Sequence, residues 1–126
     1  MTINRSAEHH RERLIEALRD EIGALIEGEL SDPRIGLCYV TELILMPGGK
    51  SVRVLINVDG DDDEAKETME GLTAAKVYIR TLVRDRLGKR HVPDISFHLD
   101  RSQQLEGRIN ELLHRVEKRK RKKKSV

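Results

Sequence analysis

The hydrophobic positions change period several times along the chain, and each period predicts one element. From near Ser6 to Leu30, aliphatic residues recur at steps of three and four, as on one face of a helix. Pro33 then ends this helix, because proline disfavours the helical conformation of the residue before it and has no amide donor. Two β-branched segments, 35–46 and 51–59, flank the turn composition "PGGK" and predict a hairpin. The inner face of its second strand is expected to carry Val52, Val54, Ile56 and Val58.

The second half of the chain alternates again between helix and strand. A helical pattern starts in the acidic string "DGDDDE" and runs to Gly88, a residue that favours a helix end. A short strand, "HVPDISFHLD", leads to a last helix with five apolar residues expected to face inward: Leu105, Ile109, Leu112, Leu113 and Val116. The order helix, strand, strand, long helical region, strand, helix predicts a two-layer α+β domain, with helices on one face of a three-stranded sheet. The second and third strands should be parallel if they are neighbours.

Length and charge divide the chain into two parts. The 126 residues fit a single domain. The formal net charge is +2, but all seven residues from 118 to 124 are basic, which leaves 17 basic and 22 acidic residues elsewhere, a net charge of −5. We therefore predict a domain over 1–117 and a basic, disordered tail over 118–126. The acidic domain can still bind a polyanion if its cations share one face, because local potential steers association.

Reactive and metal-binding side chains give little sign of catalysis. Cys38 is the only cysteine, which excludes an internal disulfide, and its apolar strand predicts burial in a reducing, cytoplasmic protein. The string "DGDDDEAKETME" has carboxylates at four EF-hand positions, but Glu64 replaces the glycine that the loop needs, so helix capping is the better interpretation. No stretch is apolar and long enough to span a bilayer. We expect no enzyme activity, metal, cofactor, small-molecule substrate or membrane contact.

The cations of the domain concentrate in the second half of the long helical region. Lys76, Arg80 and Arg84 are four residues apart and therefore share a helix face, and Lys89 and Arg90 follow. A solvated face is the simpler interpretation, but charges of one sign over several turns, together with a basic tail, favour phosphate contact. Aromatic residues make up only 2%, which disfavours modules that stack bases on exposed rings. The tail alone is equally compatible with a nuclear-localisation-like or membrane-surface cluster.

Several strings at this spacing resemble the ribosome-binding factor A family of bacterial assembly factors: "DPRIG", "VTELILMPGGKSVRVLINV", "IRTLVRDRLGKRHVPDISFHLDRS" and "GRINELL". The resemblance reaches from the first helix to about Val116. It implies a type II KH-like domain that binds the precursor small (30S) ribosomal subunit and its 16S rRNA late in maturation, without catalysis. Family members carry an Ala-x-Gly kink between two helices. The matching triplet here is Ala75-Lys76-Val77, so a shallower kink, a kink displaced toward Gly71 and no kink stay open.

The leading hypothesis is an RNA-binding assembly factor, monomeric when free, whose tail adds charge while the helix selects the RNA. Arg34 and Arg101 join the candidates because their turns are expected near the same sheet end. The predicted RNA-binding residues are Lys76, Arg80, Arg84, Lys89, Arg90, Arg34, Arg101, Lys118, Arg119, Lys120, Arg121, Lys122, Lys123 and Lys124. The alternative is a protein-interaction module whose basic tail docks on an acidic partner or a membrane surface.

Overall fold

The computed structural model describes residues 5–89 and 91–124, with side chains for 7–89, 91–102 and 108–119. The elements lie in the predicted order, and the α+β class is confirmed. In chain order they are α1 (Arg5–Ala24), a π-helical turn (Leu25–Glu29), β1 (Cys38–Leu45), β2 (Ser51–Val58), α2 (Asp62–Ala74), α3 (Lys76–Leu87), β3 (Asp94–Leu99) and α4 (Ser102–Lys124).

The three strands form one mixed sheet in the order β1-β2-β3. β1 and β2 are antiparallel, and the turn between them places Gly48 (φ 86°) and Gly49 (φ 69°) in a left-handed conformation that other residues rarely adopt. β2 and β3 are parallel neighbours, with Val54 opposite Phe97. The parallel pairing expected from the helical crossover is therefore confirmed, and it places the start of β3 beside the start of β2.

One face of the sheet carries the core. Alternate residues of β2 are buried, and they are the four that the strand pattern predicts. The same buried cluster contains Leu18 from α1, Leu72 from α2 and Ile79 from α3. Cys38 also belongs to it at 3% exposure, and burial, followed by the charge of Glu27, raises the pKa of its thiol. The interpretation of this cysteine as a small buried hydrophobe is confirmed.

The long helical region breaks at Ala75, between α2 and α3. Ala75 has φ −85° and ψ −1°, a sparsely populated region that needs no glycine. Val77 follows inside α3 and is 75% exposed, so its β-branched side chain meets no obstacle at the break. Gly71 has another use: a Cβ there would lie 2.7 Å from Cγ1 of Ile35. The helical region therefore breaks at Ala75 although Val77 stands where the family triplet has glycine. The break is not displaced toward Gly71.

The inward-facing stripe predicted for the last helix is wrong where its side chains are described. Ile109, Leu112, Leu113 and Val116 are between 48% and 59% exposed, while the side chain of Leu105 lies outside the described part. The reason is geometric, because α1, α2 and α3 already cover the inner face of the sheet. The sequence also predicts a disordered tail from Lys118, whereas α4 continues as helix to Lys124. The functional division of the chain at residue 117 stays a prediction.

Candidate nucleic-acid interface

A cleft of about 630 Å³ lies between α3 and the segment that leads into β3. We call it the basic cleft. The predicted residues Lys76, Arg80 and Arg84 all line it, because steps of four along α3 bring side chains to one face. The other lining residues are Val77, Thr81, His91, Val92 and Asp94.

Arg80 is held in place by the wall opposite α3. Its Nε and Nη2 donate to the carbonyl oxygen of Val92 at 3.2 and 2.9 Å. Its Nη1 lies 2.9 Å from Oδ1 of Asp94. The Val92 side chain is buried, so the guanidinium fastens a fixed segment to α3. Arg80 therefore shapes the basic cleft, and the nearby carboxylate reduces the potential that Arg80 adds to it.

Lys76 and Arg84 stand at either end of the basic cleft with more freedom. Lys76 forms no ion pair with any side chain that the structure describes. The nearest carboxylate to Arg84 is that of Asp85, with Nε and Oδ1 3.9 Å apart and both side chains exposed. Such a surface ion pair contributes little to the stability of the fold, and it leaves the Arg84 guanidinium free to bind another anion. These two residues are therefore the cations of α3 that a phosphate can approach.

The start of α3 adds a second attraction for anions beside Lys76. Ala75 precedes the helix and has no side chain that could cap its first amides. Uncapped N–H groups at a helix N-terminus carry partial positive charge and commonly bind phosphate. The break at Ala75 thus creates an electropositive helix end next to a lysine, in the middle of the chain. A continuous helix would have the lysine but no helix end beside it.

Arg86 shows that not every cation of α3 serves the cleft. Its guanidinium bonds to the Glu29 carboxylate and lies 3.6 Å from Oε2 of Glu21. The bond from Arg86 lowers the pKa of Glu29 below its ordinary value. Arg86 therefore ties α3 to α1 and the π-helical turn, on a side of α3 away from the basic cleft.

The remaining candidates lie outside the basic cleft. Lys89 lines a neighbouring depression of about 440 Å³, together with Arg84, at the end of α3. Arg34 donates to both carboxylate oxygens of Asp32, at 3.2 and 2.8 Å, and these bonds lower the pKa of Asp32. Arg101 follows the far end of β3 and lines a separate depression. Arg90 is outside the described residues.

The tail candidates lie at the end of α4. Lys118 and Arg119 are exposed, and the side chains from Lys120 to Lys124 are outside the described part. A straight helix has a rise of about 1.5 Å per residue, so roughly 24 Å of α4 separate Ser102 from Lys118. The tail charges therefore lie along a helix whose described part packs against no wall comparable to that of the basic cleft.

The sequence gives no direct sign of two groups of the basic cleft. In the sequence, the distance of His91 from the other histidines indicates only that it is not a metal ligand. In the structure this residue is exposed and lines the cleft. The sequence pattern predicts only that Asp94 belongs to a strand. In the structure its carboxylate forms an ion pair with Arg80. The available signal is the position of "HVPD" directly after a basic helix end and before a strand, where a returning segment can pack beside the helix.

Acidic residues lie at the opposite end of the α2–α3 region. Asp61 caps α2 by accepting a bond from the Glu64 amide at 2.8 Å, which confirms the capping interpretation. No cluster of three or more histidines, cysteines or carboxylates suited to a metal occurs among the side chains of residues 7–89, 91–102 and 108–119.

None of the helices within residues 5–89 and 91–124 is both long and apolar enough to span a membrane.

Comparisons with known proteins agree on one family. The family model described as ribosome-binding factor A matches residues 10–113. A ribosome-binding factor A from Koribacter versatilis is 54% identical, over 92% of this chain and 94% of its own. Another, from Halothermothrix orenii, is 43% identical, over 82% of this chain and 85% of its own.

Solved structures show the same fold. The crystal structure of ribosome-binding factor A from Thermus thermophilus matches with a TM-score of 0.56 and 24% identity, over 75% of this chain and 96% of its own. A Thermus thermophilus homology model, fitted into the cryo-EM map of a 30S–RbfA complex, matches with a TM-score of 0.53 and 26% identity. That match covers 75% of this chain and 94% of the fitted chain.

Proposed function

Because this chain belongs to the ribosome-binding factor A family, we propose that it binds the precursor small (30S) ribosomal subunit and its 16S rRNA late in assembly. It assists processing and folding of the rRNA and acts in the bacterial cytoplasm. The Thermus relative that was fitted into the map of a 30S complex supports this proposal. No catalytic step is included, and the buried Cys38 with its raised pKa is a poor nucleophile.

The observation that carries the proposal is the basic cleft. Lys76 and Arg84 offer two accessible cations, with the uncapped start of α3 beside the first of them. Phosphate groups bind such cations and helix ends without reading the bases. The walls of the cleft are fixed by Arg80, so RNA has to present its backbone in a matching shape. Recognition of folded rRNA by shape follows from this arrangement.

The basic tail has a different part in the proposal. Its seven cations at the end of α4 attract any polyanion. If all seven neutralise phosphates, they contribute about −5 to the log–log slope of affinity against salt, using the single-strand coefficient. The tail thus increases affinity for RNA in general, and the basic cleft distinguishes the subunit from other RNA.

Co-sedimentation with purified small subunits, large subunits and free 16S rRNA tests the proposal. We expect the full chain to pellet with small subunits in preference to the other two. The double variant Lys76→Glu/Arg84→Glu should lose small-subunit binding more strongly than binding to an unrelated RNA. Arg13→Glu/Arg19→Glu, two exposed cations of α1, changes the charge equally and should leave that preference intact. Equal losses on both ligands from the cleft variant would contradict the proposed role of the cleft.

Deletion of residues 118–126 completes the test. This variant should weaken binding to small subunits and to unrelated RNA by similar factors, because the tail contributes charge without shape. A selective loss on small subunits would assign recognition to the tail instead.

A further inference from the structure

Another depression, of about 500 Å³, lies at the β1 edge of the sheet, where the hairpin ends beside the π-helical turn. We call it the acidic pocket. Unlike the basic cleft, it has carboxylates and apolar side chains in its described lining but no lysine or arginine. Its lining residues are Glu27, Leu37, Cys38, Tyr39, Asn57 and Asp59.

Leu37 is the most conspicuous feature of the acidic pocket. It is 70% exposed, so most of its aliphatic surface is open to a binding partner. Its backbone is fixed, since the Asp59 amide donates to the Leu37 carbonyl at 2.9 Å and the Gly36 amide donates to Thr68 Oγ1 at 3.1 Å. The side chain is therefore held outward by the fold. Tyr39, two residues later, is 37% exposed and extends the apolar surface.

Two exposed carboxylates, Glu27 and Asp59, flank this apolar surface. Neither forms an ion pair with any side chain that the structure describes. Negative charge without an ion-pair partner repels phosphate, so the acidic pocket itself disfavours an RNA backbone. It is complementary instead to a ligand that combines positive charge with aliphatic surface. Lysine and arginine side chains do so, because a methylene stem carries the charge.

We propose that the acidic pocket is a docking surface for a lysine- or arginine-rich segment of a protein partner. The cationic heads pair with Glu27 and Asp59, while the methylene stems cover Leu37 and Tyr39. The inference goes beyond the proposed function, because it assigns a protein contact to a surface separate from the basic cleft. On a particle made of RNA and proteins, the two surfaces would engage different components.

The basic tail of the same chain is a poor occupant for the acidic pocket. α4 begins just after Arg101, which lines a depression together with Asp59, so the helix starts close to the pocket. A continuous helix then places Lys118 roughly 24 Å along its axis, away from that start. To return to the pocket, α4 would have to break. The charge complementarity of the acidic pocket therefore points to another protein.

A comparison of two ligands tests this inference. The triple variant Glu27→Gln/Leu37→Ser/Asp59→Asn should bind purified small subunits about tenfold more weakly, because both the charge pairs and the apolar cover are lost. Its affinity for protein-free 16S rRNA should stay within about twofold of the unaltered chain. The control Glu16→Gln/Glu67→Gln removes two exposed carboxylates elsewhere and should change neither affinity. Unchanged binding to subunits, or equal losses on subunits and rRNA, would overturn the inference.

A peptide probe gives an independent measurement on the full-length chain. Octa-arginine should shift the backbone NMR signals of Leu37, Tyr39 and Asn57, and the triple variant should abolish these shifts while the control variant keeps them. Absence of the shifts in the unaltered chain would overturn the inference. So would sedimentation velocity showing a dimer that the triple variant dissociates, because the occupant would then be a second copy. Failure of either kind leaves the test of the basic cleft unaffected, since that test uses different residues.

Discussion

The basic cleft and the basic tail carry the same kind of charge, but the fold holds that charge in different ways. In the cleft, Arg80 binds the Val92 carbonyl and Asp94, so the wall opposite Lys76 and Arg84 is fixed. The tail continues α4, and the described part of α4 makes no extensive contact with the three-helix face. Charge density alone therefore gives affinity, whereas charge fixed in a shape can give selectivity. Four predictions test this difference.

The largest expected effect is on salt dependence. Deletion of residues 118–126 should flatten the log–log salt slope for 16S rRNA by about 5, whereas Lys76→Gln/Arg84→Gln should flatten it by only about 1.4, at the single-strand coefficient. The measurement is a titration of rRNA with the protein over a series of salt concentrations. Similar slopes for the two variants would remove the distinction between a tail of many contacts and a cleft of few.

The next effect is on stability. Arg80→Gln should lower the free energy of unfolding by about 1 to 2 kcal/mol, because the Val92 carbonyl loses two charge-assisted hydrogen bonds in a partly buried site. Arg80→Lys should not restore it, since one ammonium cannot reproduce the guanidinium fork. Denaturant unfolding measures both. Arg84→Gln is the control, expected within about 0.5 kcal/mol of the unaltered chain. A larger loss from Arg84 would mean that it, and not Arg80, fixes the cleft.

A gain of binding is expected when the internal anion of the cleft is removed. Asp94→Asn should tighten rRNA binding about fivefold, because a carboxylate within about 4 Å of a bound phosphate costs about 1 kcal/mol even in water. Asp63→Asn removes the same charge from the start of α2 and should have little effect. Filter binding at fixed salt compares the two. Weaker or unchanged binding by the Asp94 variant would show that phosphate in the basic cleft lies too far from Asp94 to be repelled by it.

The smallest effect concerns the junction between the sheet and α4. Asp100 accepts a bond from the Thr41 hydroxyl at 2.5 Å and another from the Ser102 amide at 2.9 Å. The Thr41 bond, followed by those from Ser102, lowers the pKa of Asp100 below its unfolded value. This contribution to stability is present above the unfolded pKa and is lost as pH falls through the folded pKa.

Thr41→Val should therefore reduce the loss of stability that acid causes. Urea unfolding midpoints between pH 6 and pH 3 measure it, and the variant and the unaltered chain should converge at the acid end. Parallel curves would show that the Asp100 pKa is not set by Thr41.

Periodicity predicted most of the fold because the core is built from local patterns. The alternation in β2 and the three-to-four spacing of α1 both correspond to buried faces. It failed for α4, whose stripe has the same spacing as a core helix. A hydrophobic pattern of period 3.6 predicts that a helix has an apolar face. It does not predict whether the sheet still has uncovered surface against which that face can pack. α1, α2 and α3 already cover that place.

The candidate site shows a similar limit. Spacing along α3 correctly placed Lys76, Arg80 and Arg84 on one face, because that depends on a single helix. It could not distinguish the structural role of Arg80 from the accessibility of Arg84. That difference arises from Val92 and Asp94, which come beside α3 only when β3 pairs with β2. Non-local contacts of this kind leave no periodic trace in the sequence.

The parallel pairing of β2 with β3 also sets a sequence of events during folding. The β1–β2 hairpin and α3 can form from nearby residues, whereas β3 must close a loop that contains α2 and α3. Such long-range closure is slow compared with hairpin and helix formation. A newly synthesised chain that has not yet added β3 would already present Lys76 and Arg84, but without an opposite wall. Discrimination between correct and incorrect RNA would therefore begin only once this last strand is in place.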